Sequence, residues 1–169
     1  MDKLMRLFYK LLMLLSALSM IAAFLAVALG IIAREVVHVS IDGLDAYAGY
    51  AIAAALFFAL PSTLQNGEHI RVTLVLDRLP ARWRNSMEWF CLMTGLVLTV
   101  FMAWYAARAV WISYVTHDVS PAADASPLWI PQISMAMGCI GFALAFAHGI
   151  IARLQGRAFI ATSELARTE

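Results

Sequence analysis

Histidine and cysteine are the residue types in this chain that could hold a metal or a haem. The four histidines are His38, His69, His117 and His148, and the two cysteines are Cys91 and Cys139. A bis-histidine haem needs two imidazoles at the same depth, facing a common interior. Only His38 and His117 are predicted on the same outer side, and both fall outside the apolar segments, so such a haem is not expected. The cysteines lie in apolar segments without CxxC or Cys/His spacing, which predicts buried thiols and neither a zinc site nor a redox disulfide.

Charges inside apolar segments are the other candidates for chemistry, because a charge in a membrane is costly and usually functional. Glu88 lies near the start of the third apolar segment and Arg108 near its end, and both side chains are long enough to reach an interface. No carboxylate falls mid-segment for a proton relay, and no pair of interrupted helices suggests an ion site. No Ser/His/Asp or paired-carboxylate arrangement is present. We therefore expect no enzyme activity.

The composition indicates the environment of these residues. Of the 169 residues, 63% are hydrophobic and 14% are charged, whereas a soluble domain is about half apolar and a quarter charged. The excess apolar surface predicts an integral membrane protein in contact with a lipid bilayer. A net charge of +1 without a basic tail predicts no nucleic-acid partner.

Four apolar segments predict an all-α protein that forms a single membrane domain. The predicted transmembrane helices are at residues 11–33, 47–64, 87–116 and 129–152. The first segment is long enough to cross about 30 Å of hydrocarbon at a rise of about 1.5 Å per residue. A signal-peptide core has only about 7–15 apolar residues, so the first segment is expected to be retained as a helix.

Lysine and arginine predict the orientation. Ten of the twelve basic residues lie on one side of the predicted membrane. The first helix is preceded by Lys3, Arg6 and Lys10. The loop between the second and third helices contains Arg71, Arg78, Arg82 and Arg84, and the fourth helix is followed by Arg153, Arg157 and Arg167. Only Arg34 and Arg108 fall on the other side. The positive-inside rule therefore predicts cytoplasmic N and C termini.

Small residues recur at four-residue steps in the third and fourth helices, where they would let helix backbones approach closely. They are Gly95, Thr99, Ala103 and Ala107 in the third helix, and Gly141, Ala145 and Gly149 in the fourth. This pattern predicts helix association without identifying the partner.

The segment NGEHIRVTLVLDRLPARW, residues 66–83, is neither a span nor an ordinary polar loop. Its apolar residues alternate in part as in a strand, but Val72, Leu76, Leu79 and Trp83 also form one helical stripe. A lone strand at a membrane would leave backbone groups unpaired, whereas a helix satisfies its own. We predict an amphipathic interfacial helix at about residues 68–83. The alternative is a cytoplasmic loop with a few side chains dipping into lipid.

Three stretches carry a family resemblance. NGEHIRV contains a glycine-x-His-Ile-x-Val pattern formed by Gly67, His69, Ile70 and Val72. Arg34 closes the first helix and Asp45 precedes the second, and the two could pair across the first outer loop. SPLWIPQISMAMG begins the fourth helix, with Pro127, Trp129, Ile130, Pro131, Gln132 and Gly138. Together these stretches resemble the small membrane subunit, the Q-type subunit, of tripartite ATP-independent periplasmic (TRAP) transporters.

The resemblance implies a scaffold role in the bacterial inner membrane. In that family a periplasmic substrate-binding protein captures an organic acid, and a large multi-span membrane subunit moves it inward with sodium. The small subunit binds the static part of the large one, binds neither sodium nor any cofactor itself, and helps to dock the binding protein at its outer surface. The structural and partner-contact candidates are Arg34, Asp45, Gly67, His69, Ile70, Leu76, Leu79, Trp83, Arg108, Trp129, Pro131 and Gln132.

Two other functions remain open from the sequence alone. The histidines and aromatic residues also suit a haem- or quinone-binding membrane subunit of a redox complex. The small-residue stripes also suit a self-sufficient small exporter that forms homodimers.

Overall fold

A computed structural model of the chain describes residues 2–36, 38–39, 41, 43–65, 81–122 and 125–155. Within these ranges the protein consists of four helices: α1 (Asp2–Glu35), α2 (Leu44–Gln65), α3 (Ala81–Val115) and α4 (Trp129–Leu154). Each is long and apolar enough to cross a membrane. The predicted all-α architecture with four spans is confirmed.

Two helices are longer than their apolar segments. Helix α1 includes residues 2–10, and α3 includes residues 81–86. Neither extension contains proline or glycine, so the helical hydrogen bonds continue past the apolar boundary. Trp83, which we predicted on an interfacial helix, therefore belongs to the start of α3. Residues 68–80 of that predicted helix lie outside the described residues.

The four helices do not pack in the order of the chain. Helix α1 packs against α2, α2 against α4, and α4 against α3. We call the end at which α1 begins and α4 ends the inner end, and the opposite end the outer end. Because α1 and α3 each have one main neighbour, most of their apolar surface faces outward. The central pair, α2 and α4, is more buried.

A close backbone contact joins α2 to α4. A methyl group added at Gly138 would lie 2.5 Å from the carbonyl oxygen of Phe57, so only glycine fits. Pro61 lies four residues after Phe57 and has no N–H, so this carbonyl lacks its usual helical donor. Further along, a methyl group at Gly141 would lie 2.9 Å from Leu12 and 3.1 Å from Pro61. Glycines on α4 thus allow α2 and α1 to approach.

The small residues of α4 pack as predicted, but those of α3 do so only in part. Gly141, Ala145 and Gly149 are all buried. On α3, a methyl group at Gly95 would overlap the ring of Phe146, and Thr99 is buried. The prediction of Ala107 was wrong: Ala107 is exposed and Ala106 is buried instead. A four-residue step turns the helix by about 40° beyond a full turn, so three such steps leave the face that begins at Gly95.

The cysteines differ from each other. Cys139 on α4 is 3% exposed and packs with Ala106 and Ala136, as predicted for a buried thiol. Cys91 on α3 is exposed, which corrects the prediction. The reason is position: α3 lies at the edge of the helix row and buries only the face that contacts α4.

Candidate partner-contact surfaces

The inner ends of α3 and α4 are joined by a cluster of polar side chains. An Arg153 guanidinium nitrogen lies 2.5 Å from a carboxylate oxygen of Glu88, and a second donates to the side-chain oxygen of Asn85 at 2.8 Å. The guanidinium carbon also lies 5.6 Å from the ring centroid of Trp89. One arginine at the end of α4 thus holds three side chains of the first turns of α3.

We did not predict this cluster from the sequence, although oppositely charged residues at the ends of two predicted helices indicate such a contact. Glu88 lies near the predicted inner end of the third helix and Arg153 just after the fourth. Antiparallel neighbours place such residues at the same level. The sequence alone does not say that α3 and α4 are neighbours.

A second inner contact joins α1 to α4. The Tyr9 hydroxyl lies 3.5 Å from Nδ1 of His148, and the two rings stack with centroids 6.2 Å apart. Tyr9 is 2% exposed and packs with Leu64 and Ala145. His148 therefore takes part in helix packing.

At the outer end, hydrogen bonds hold the loop between α3 and α4, of which the structure describes residues 116–122 and 125–128. We call it the braced outer loop. Val119 and Pro127 form an isolated antiparallel bridge, and the Ser120 amide donates to the Ser126 carbonyl at 2.7 Å. The Tyr50 hydroxyl on α2 lies 2.6 Å from the Ser120 hydroxyl. Three helices are thereby tied together at the outer surface through one short loop.

The start of α4 contains three predicted site residues. The ring of Trp129 packs edge-on against Tyr114 of α3, with centroids 5.7 Å apart. Pro131 lies in the first turn, where a missing N–H removes no helical bond, and its carbonyl accepts from Ser134 at 2.7 Å. The side-chain oxygen of Gln132 is buried and has no hydrogen-bond partner in the described structure.

The predicted outer charges form no ion pair with one another. Arg34, Asp45 and Arg108 are all exposed. The suggested ion pair between Arg34 and Asp45 is not formed, and neither residue pairs with another described residue. Trp83, near the inner end, is 68% exposed. The remaining candidates, Gly67, His69, Ile70, Leu76 and Leu79, lie outside the described residues.

The histidines of the outer side lie in loops. His38 and His117 are both exposed and have positive φ angles of 53° and 54°. Within the ranges that the structure describes, no three His, Cys, Asp or Glu residues come together in a way that could hold a metal ion.

The outward faces of α1 and α3 differ in chemistry. The α1 face is aliphatic apart from Phe24, with Leu7, Leu14, Leu18, Ile21 and Ile32 all at least half exposed. The α3 face carries exposed aromatic residues along its length: Trp83, Phe90, Phe101, Trp104 and Trp111. Both faces require lipid or a protein partner to cover them.

Comparison with known protein families gives a match over most of the chain. The family model for the DctQ component of tripartite ATP-independent periplasmic transporters matches residues 23–156. This range contains residues 23–35 of α1 and the whole of α2, α3 and α4. No curated protein and no solved structure matches the chain.

Proposed function

Because this chain belongs to the DctQ component family of tripartite ATP-independent periplasmic transporters, we propose that it is the scaffold subunit of a sodium-coupled transporter for organic acids. The family match, which covers the end of α1 and the whole of α2, α3 and α4, is the observation that carries this proposal. The partners are a large multi-span membrane subunit and a periplasmic substrate-binding protein. Sodium and substrate bind to those partners, and this chain needs no cofactor.

The packing supports a static role. The close contacts of α4 with α2 and α1 run through Gly138 and Gly141, where a single methyl group would clash. Interiors packed so closely resist sliding, because small gaps and overlaps both cost free energy. At the inner end Arg153 ties α4 to α3. A rigid row of helices suits a subunit that widens the fixed part of a transporter while another part moves.

The braced outer loop is the proposed contact for the substrate-binding protein. Its backbone is fixed by the Val119–Pro127 bridge and by the contact of Tyr50 with Ser120. A surface that is ordered before binding loses less conformational entropy when a partner docks. Val119 is 55% exposed and is available for such a contact.

Reconstitution tests the scaffold proposal. The chain is tagged and coexpressed with a large membrane subunit and its binding protein from the same source, and sodium-driven uptake is measured in proteoliposomes. We expect the large subunit to copurify and uptake to require all three components. Uptake that persists without this chain would contradict the proposal. Transport by this chain alone would support the exporter, and a Soret band in the purified protein would support the redox subunit.

The proposed orientation places the inner end in the cytoplasm. Single cysteines are introduced as Val119→Cys in the outer loop and Gln155→Cys after α4, with Cys91 and Cys139 replaced by alanine. A membrane-impermeant maleimide added to spheroplasts should label residue 119 and leave residue 155 unlabelled until the membrane is opened. Labelling of residue 155 but not of residue 119 in spheroplasts would show the opposite orientation.

A further inference from the structure

Arg108 lies inside a predicted span and has no counter-ion among the residues that the structure describes. It is seven residues from Val115, the end of the α3 span, which places it about 10 Å inside that end. Its side chain is exposed and forms no ion pair or hydrogen bond with any described residue. By contrast, Arg153 in the last turn of α4 is paired with Glu88. An exposed guanidinium within a span is stabilised by an anion, and the described residues supply none.

The residues next to Arg108 on the outward face are large and aromatic. Trp104 precedes it by four residues and Trp111 follows it by three, so all three share one helical stripe. Trp104 is 69% exposed and Trp111 is 67% exposed. The ring of Trp111 lies 6.5 Å from that of Tyr114, which packs against Trp129 of α4. Trp111 of α3 is therefore connected through Tyr114 to α4.

The shape of this stripe favours lipid over a closely packed helix. Helices that associate within a membrane use small residues to bring their backbones together. On α3 the small residues Gly95, Thr99 and Ala106 already face α4. Indole rings beside an arginine near a helix end are typical of the region where lipid headgroups lie.

The chemistry of the site suits a phosphate. A guanidinium binds phosphate through two parallel N–H···O bonds, and its long stem lets it reach outward along the helix surface. The two indoles offer flat apolar surfaces for the glycerol backbone and the upper acyl chains. We propose that Trp104, Arg108 and Trp111 form a binding site for the phosphate of a phospholipid in the leaflet at the outer end.

Native mass spectrometry tests this site directly. The full chain is reconstituted in nanodiscs of phosphatidylethanolamine and phosphatidylglycerol, extracted in mild detergent, and its retained phospholipids are counted by mass. We expect Arg108→Gln to lower the occupancy of one tightly held phospholipid about fivefold, with Arg108→Lys intermediate because lysine keeps the charge but loses the bidentate geometry. Trp111→Leu should lower occupancy as well.

Arg34→Gln is the matched control, because Arg34 is an exposed arginine at the outer end of α1 without tryptophans on its stripe. It should retain phospholipid as the unmodified chain does. Equal retention by Arg108→Gln would overturn the proposal. In a parallel coexpression with the large subunit, loss of copurification by Arg108→Gln with lipid retention unchanged would also overturn it, since the anion would then be a protein carboxylate. Circular dichroism establishes folding, and Arg108→Lys and Trp111→Leu keep the test decisive if Arg108→Gln misfolds.

Discussion

Gly138 of α4 lies directly against the backbone carbonyl of Phe57 in α2, and a methyl group there would come within 2.5 Å of the oxygen. This carbonyl is open to such a contact because Pro61 supplies no N–H to it. The Cα hydrogens of a glycine are weak donors that suit a carbonyl in this position. A proline on one helix and a glycine on its neighbour thus fix the central contact of the fold.

Gly138→Ala should destabilise the protein. The obstructing atoms are the carbonyl group and the Cβ of Phe57, which cannot move without the α2 backbone, so the helices must separate, at a cost of about 1–3 kcal/mol. Gly49→Ala is the control, because a methyl group at Gly49 would meet nothing within 4 Å. That change should be neutral or stabilise by up to about 1 kcal/mol. Thermal unfolding in detergent measures both, and equal effects would contradict the close contact.

The ion pair of Arg153 with Glu88 should contribute measurable coupling between α3 and α4. Both side chains are partly shielded, at 25% and 22% exposure. A double-mutant cycle with Arg153→Gln and Glu88→Gln should give a coupling free energy of about 1 kcal/mol, in the range for partly exposed pairs. Added salt should weaken the coupling. Additive effects of the two single changes would show that the pair contributes nothing.

The Tyr50 hydroxyl should stabilise the outer loop. Tyr50→Phe removes its contact with Ser120, at a cost of about 1 kcal/mol. Amide hydrogen exchange at Ser120 and Leu128, whose N–H groups bond within the loop, should become faster. Tyr105→Phe is the control, because Tyr105 is exposed and its ring packs on Phe101 without use of the hydroxyl. Unchanged exchange in Tyr50→Phe would mean that the backbone bridge alone orders the loop.

Substitutions test the predicted apolar stripe at residues 68–83. Leu76→Asp or Leu79→Asp places a charge on that stripe and should weaken assembly with the large subunit, because a charge is costly in the acyl boundary. Thr73→Asp, off the stripe, should assemble normally. Copurification yield and substrate affinity are measured together. An intact complex with altered substrate preference would contradict an anchoring role.

Local sequence properties predicted the helices well. The four spans follow from runs of apolar residues, and α4 begins at Trp129 as expected. The buried stripe of Gly141, Ala145 and Gly149 was also predicted, because glycine and alanine have few roles in a membrane helix other than close packing. The family resemblance, drawn mainly from the stretches around Arg34, Gly67 and Trp129, agrees with the family match over residues 23–156.

The contacts between helices could not be predicted in this way. The sequence did not distinguish Cys91 from Cys139 or Ala107 from Ala106, and it did not join Arg153 to Glu88. In water, polarity separates the inside of a protein from its outside. In a membrane both the packed face and the lipid-facing face of a helix are apolar. Hydropathy therefore indicates that a helix crosses the bilayer, but not which of its faces packs against other helices. Which face packs was decided by the order in which the helices are arranged, and only the tertiary structure supplies that order.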